Sequence, residues 1–280
     1  MIRNSTFDKY EPVIRQAFQR FINEAKFNAL DIGDFLVCQQ GGFISFGGPC
    51  IGLGEVGINN LQKVNTILNI GPMIVTEDSD YFTKNGNTFF HGCSQFENSI
   101  MQICNYYLDI WENELFLRNF IELIKIANGE HYDWNLDLSK LKQNVKGELI
   151  RNEIIGKLDK YPYLKEILQI AYNSNLRNAV GHSQFHIVQG GIILDTYGRN
   201  KYATVQGFCF DDWEKIFTYA WLVFKLLFSV LKQTLSDFFF RVSKETISGG
   251  IPILIPSENG WYNKFIYPNQ DGTVWRFRKC

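Results

Sequence analysis

An excess of charge of either sign is the first thing this 280-residue chain lacks. Its 28 Lys and Arg residues against 29 Asp and Glu leave a formal net charge of −1. A strongly basic coat for nucleic acid is excluded, so any RNA contact must be local. Long apolar runs are also missing. The most hydrophobic stretch, 216–240, is broken by Lys225, Lys232 and Asp237. Its longest uncharged piece, 216–224, falls far short of the roughly 20 residues that a membrane helix needs. The opening residues, Met1-Ile-Arg-Asn-Ser-Thr-Phe-Asp8, contain no apolar segment of the signal-peptide kind. Cysteines stand at 38, 50, 93, 104, 209 and 280 with no CxxC pair, and a chain of this size needs no disulfide framework. These absences predict a cytoplasmic protein with reduced thiols and no membrane span. There is no internal repeat and no low-complexity tract.

What the chain does have is core material. Hydrophobic residues make up 45% and aromatics 15%, with 24 Phe and 13 Tyr. That composition excludes wholesale disorder. Three regions differ in texture. Residues 1–92 combine an amphipathic helix over 7–30 with eight glycines in the 25 positions 33–57. Such glycine density means turns and close backbone approaches. Residues 71–77 read as a short strand.

Residues 93–246 read as mainly helical. Apolar residues recur at three- and four-residue steps over 96–127, 141–158 and 163–180. A hairpin follows over 185–196, turning at Gly190-Gly191. A long helix then runs to about Glu245, with Asp211 or Asp212 as cap. It is apolar almost all round, so its surface must be covered, in a core or by a second copy. Residues 247–280 form a β extension after a Ser-Gly-Gly linker, with a turn expected at Asp271-Gly272.

One segment gathers chemistry: Asn173-Ser-Asn175-Leu-Arg177-Asn178-Ala-Val-Gly181-His182-Ser183. It holds a fixed cation, an amide and an imidazole within six positions at a helix end. Asn178 and His182 are four apart and share a face if the helix persists. Arg177 and His182 are about 140° apart around the axis, and unwinding at Gly181 would let them converge. These groups suit cleavage of an RNA phosphodiester. His takes and gives a proton near neutral pH, and Arg presents a planar fork to phosphate oxygens. An amide orients the imidazole or binds a non-bridging oxygen. The RNA's own 2′-hydroxyl attacks, so neither metal nor cofactor is needed. The plainer alternative has Arg177 and Asn178 finishing a helix, with His182 near its dipole end.

In its setting, Leu-Arg-Asn-Ala-Val-Gly-His-Ser-Gln-Phe-His-Ile before a Gly-Gly hairpin and a long buried helix, this segment resembles the HEPN superfamily. The likeness covers about residues 95–245. It implies an all-α bundle with a β-hairpin insertion that pairs as a homodimer. It also implies a metal-independent endoribonuclease cleft made by Arg and His of both protomers. On that basis Arg177 stabilises the phosphate, Asn178 supports it and His182 is the acid–base group. Asn175, Ser183 and His186 are candidate substrate contacts. The resemblance further implies a toxin or phage-defence effector held by an antitoxin or regulatory partner. Family members without activity serve instead as dimerisation or binding modules.

Weaker signals have plainer readings. Gly52-Leu-Gly54-Glu-Val-Gly57 has dinucleotide-loop spacing but no clean strand before it. His182 and His186 form an HxxxH without a following Glu. Arg276, Arg278 and Lys279 alternate with Trp275 and Phe277, which suggests an edge strand with a charged face or a small RNA-stacking strand.

Overall fold

The computed structural model describes residues 1–31, 33–35, 50–51, 55–86, 95–133, 136, 138, 143–199, 201–244, 250–268 and 275–277. The chain is mainly helical, with small β-sheets. It forms two compact units, and these cut across the three textural regions. One comprises Met1–Ala17, Lys63–Asn113 and Asp159–Lys225; the other comprises Phe18–Gln62, Glu114–Leu158 and Leu226–Cys280.

In the first unit, β1 (Ile2–Arg3) leads into α1 (Asn4–Asn28), and β1 pairs in parallel with β3 (Val75–Thr76). Residues 71–77 therefore give only a two-residue strand. Gly71–Ile74 is a short helix, α3, started by Pro72, whose missing N–H has no partner to lose there. In sequence, β2 (Cys50–Ile51), which belongs to the second unit, and α2 (Glu55–Asn69) come between α1 and α3. The helix α4 (Tyr81–Gly86) carries Phe82 into an aromatic cluster. Its ring stacks on Phe210 at 5.2 Å, and Phe96 meets Phe210 edge-on at 5.3 Å. Buried Glu214 accepts the Arg3 backbone N–H, the Arg3 Nε and Nη2 groups and the Thr6 hydroxyl. A buried carboxylate requires that many donors.

The expected helix over 96–127 is two helices. α5 (Gln95–Glu112) buries Phe96, Ile100, Ile103, Cys104, Tyr107, Ile110 and Trp111, a repeat of three and four. It stops at Asn113, and α6 (Glu114–Ala127) begins at the next residue. The expected helix over 163–180 also divides. α8 (Pro162–Ala171) ends at Tyr172, and Asn173 caps α9 (Ser174–Gly181), its Oδ1 accepting the Leu176 N–H at 3.0 Å.

The hairpin stands where the Gly190-Gly191 signal put it. β4 (Phe185–Val188) pairs antiparallel with β5 (Gly191–Leu194), and β5 pairs with β6 (Gly207–Cys209). Gly190 turns with φ +83°, and a Cβ on Gly191 would lie 2.3 Å from the Phe208 carbonyl oxygen. Neither position tolerates a larger residue without movement.

The long helix α10 runs Phe210–Lys244. Phe217, Thr218, Ala220, Leu222, Val223, Phe224, Leu226 and Leu227 are all buried within the single chain. The apolar girdle that suggested a second copy is therefore covered without one. No helix among the described residues is long and apolar enough to cross a membrane.

In the second unit, α6 is buried almost all round, with Phe120 stacked on Phe18 at 5.8 Å. Further along, α7 (Gln143–Leu149) passes into a π-helical turn, Ile150–Ile155, closed by the Gly156 N–H on the Arg151 carbonyl. A sheet ordered β2, β9, β8, β7 follows, with β7 Ile251–Ser257, β8 Gly260–Pro268 and β9 Trp275–Phe277. The expected edge strand β9 is interior here: Cys50–Ile51, distant in sequence, pairs along its other side. The Asp271-Gly272 turn, Ser248 and Gly249 of the linker, and Gly52–Gly54 lie outside the described residues; the last linker residue, Gly250, has φ +71°.

Candidate functional site

The segment 173–183 is fixed at both ends. At its start, the Asn173 N–H donates to the Tyr107 hydroxyl of α5 at 2.8 Å, and that hydroxyl also meets the Ala171 carbonyl at 3.2 Å. At its finish, α9 closes in a Schellman motif. The Gln184 N–H reaches back to the Ala179 carbonyl at 2.8 Å, and the Ser183 N–H to the Val180 carbonyl at 3.1 Å. The left-handed residue is Ser183, at φ +52°. The helix thus runs through Gly181 rather than unwinding there. The turn falls two residues later, on a residue that carries a Cβ.

This cap decides how the three motif residues are presented. The His182 N–H still donates to the Asn178 carbonyl at 3.1 Å, so the four-residue relation between them holds. Asn178, His182 and Ser183 are all exposed; Asn175 is half-buried. The His182 imidazole makes no hydrogen bond with any described group. It is open to solvent and able to exchange a proton with a ligand.

Arg177 faces the other way. It is only 5% exposed. Its guanidinium is ion-paired with Glu112, the last residue of α5, and donates to Asn178 Oδ1 at 3.0 Å. Glu112 stands at the carbonyl end of α5, where a carboxylate is disfavoured, and Arg177 offsets that. The motif therefore divides into an internal cation, an exposed imidazole, and an amide that touches the first by side chain and the second by backbone.

The hairpin adds a second imidazole. His186 stands opposite Ile193, and its Nδ1 lies 2.8 Å from Asp195 Oδ1; both side chains are about half exposed. Strand alternation puts Phe185 and Leu194 on the buried face and His186 with Asp195 on the open one. Asp195 was findable from the sequence, because a two-residue turn at Gly190 fixes this register. Glu112 gave no such signal: 65 positions separate it from Arg177.

Searches of protein-family models, characterised proteins and solved structures find no match to this chain. The site therefore rests on its own chemistry. An exposed imidazole beside an exposed amide, with a carboxylate-held imidazole on the adjoining hairpin, can exchange protons and accept or donate hydrogen bonds to a polar ligand.

Proposed function

We propose that this protein is a metal-independent endoribonuclease of the HEPN kind, acting on RNA at the end of α9. The observation that carries this reading is His182: an imidazole in solvent, free of hydrogen bonds to described groups, on a turn fixed by two backbone bonds. In the reaction His182 takes the proton from an RNA 2′-hydroxyl as that oxygen attacks the adjacent phosphorus. The P–O5′ bond breaks, and a protonated imidazole returns a proton to O5′. The products are a 2′,3′-cyclic phosphate and a 5′-hydroxyl. Asn178 holds a non-bridging oxygen or orients the imidazole. Arg177 positions Asn178 through its hydrogen bond to Asn178 Oδ1; direct contact with phosphate requires it to leave Glu112. Asn175, Ser183 and His186 with Asp195 are the surrounding contacts. Two copies would face each other across the cleft, and an antitoxin or regulatory partner would restrain it.

One observation favours a second reading. The Arg177 guanidinium is buried and neutralised by Glu112, which suits a HEPN-like binding or dimerisation module without catalysis. Incubating the purified protein with RNA in EDTA separates the two. Cleavage abolished by His182→Ala supports the nuclease; an inert wild type that still binds RNA or self-associates supports the module.

A further inference from the structure

The connection between β5 and β6 has a composition unlike the rest of the surface. Within residues 195–202, Tyr197 and Tyr202 are 54% and 74% exposed, and Arg199 and Lys201 are exposed between them. Two exposed tyrosines thus flank two exposed cations within six positions of the chain. Neither Arg199 nor Lys201 has a carboxylate partner among the described residues. The acidic groups near them in sequence are already engaged: Asp195 by His186, Asp211 by Arg3, and Asp212 by the Cys209 thiol. Residues 195–202 thus carry two cations against one carboxylate, Asp195, which faces His186. Lys201 Nζ lies 4.9 Å from the Tyr202 ring centre, so cation and ring are presented together.

Backbone hydrogen bonds hold 194–199 and Ala203 in place. Leu194 and Tyr197 N–H groups bond the Gln206 and Leu194 carbonyls at 2.8 and 3.1 Å. Arg199 bonds the Thr196 carbonyl at 3.1 Å, and Gly198 bonds the Ala203 carbonyl at 3.0 Å. Gly198 has φ +72°, which permits this tight reversal. Buried Ala203 anchors the return. These backbone bonds lower the main-chain entropy lost when the side chains bind. The same bonded backbone continues through β5 to Asp195 and His186, in the unit that carries His182.

We infer that Tyr197, Arg199, Lys201 and Tyr202 make a docking site for single-stranded RNA, in which Tyr197 and Tyr202 stack on unpaired bases while Arg199 and Lys201 hold the flanking phosphates. The inference rests on RNA being the ligand of this unit and names the element that grips it. Single strands are specified because duplex bases offer no open face to a tyrosine ring.

The test is fluorescence anisotropy with a labelled oligouridine, using His182→Ala protein so that the RNA stays intact. Tyr197→Ala/Tyr202→Ala should weaken binding roughly tenfold or more. Arg199→Glu/Lys201→Glu should weaken it further and flatten its dependence on salt. A blunt RNA duplex should bind less well than the single strand. Circular dichroism of each variant checks that the fold is kept. Unchanged affinity in both variants, or a parent protein that binds no oligouridine, overturns the inference. Equal binding of duplex and single strand also overturns it. Loop-dependent binding by a wild type that never cleaves RNA upholds the loop and rejects the nuclease.

Discussion

The guanidinium of Arg177 on α9 is ion-paired with the carboxylate of Glu112 at the end of α5, and the same guanidinium donates to Asn178. Breaking a buried pair by removing one partner strands the other charge, which costs about 3–5 kcal/mol. Arg177→Ala should lower stability by about 3 kcal/mol, read as a fall in the urea midpoint. Arg177→Met combined with Glu112→Leu should recover most of that loss, because no charge is left unpaired. Arg177→Lys should recover little, since an ammonium cannot serve Glu112 and Asn178 from one plane.

Ser183 occupies the left-handed position that closes α9, at φ +52°. The end of α6 is built alike: Glu130 and Gly129 bond back to Lys125 and Ile126, and there the left-handed residue is Gly129, at φ +76°. Relief of the Cβ clash, less the extra chain entropy of glycine, predicts that Ser183→Gly stabilises by about 0.5–1 kcal/mol. Ser183→Val should destabilise by more than that. Thermal melts of the two variants check the sign.

Glu122 is buried in α6 and accepts the Asp133 N–H at 2.7 Å. Burial raises its carboxyl above the ordinary value of 4.5, against the opposing pull of nearby Lys125. A carboxyl raised on folding binds its proton more tightly in the folded state. Its contribution is therefore present below pH 4.5 and is lost as pH rises through the raised value. Glu122→Gln removes that loss. Urea midpoints of wild type and variant should be closest at about pH 4 and separate in favour of the variant toward pH 7. Midpoints that stay parallel would contradict this.

Cys104 is fully buried and its thiol is pushed up to about 12 by desolvation, whereas Cys209 is exposed. Iodoacetamide at pH 8 should alkylate Cys209 in the native protein and leave Cys104 untouched until urea is added. Peptide mass mapping reads both sites in one experiment.

The sequence made some of this legible and hid the rest for physical reasons. The order of helix, hairpin and long helix followed from apolar period and from Gly190-Gly191, because both signals are local. The stops at Asn113 and Tyr172 were not visible, since neither Gly nor Pro marks them and the apolar repeat continues across each. Gly181 looked like the place where α9 yields, yet the chain turns at Ser183, where serine accepts a backbone usually left to glycine. The girdle of α10 signalled coverage but not its source, because an apolar face does not say which chain lies on it. At the site, the spacing from Asn178 to His182 was readable. The burial of Arg177 was not, because its partner Glu112 lies far away in sequence.

RNA cleavage in EDTA by wild-type and His182→Ala proteins tests the central claim most directly. The account predicts products ending in 2′,3′-cyclic phosphate and 5′-hydroxyl, with the rate falling roughly a hundredfold or more in a folded variant. A wild type that leaves RNA intact, or a variant that cleaves as fast, would contradict it.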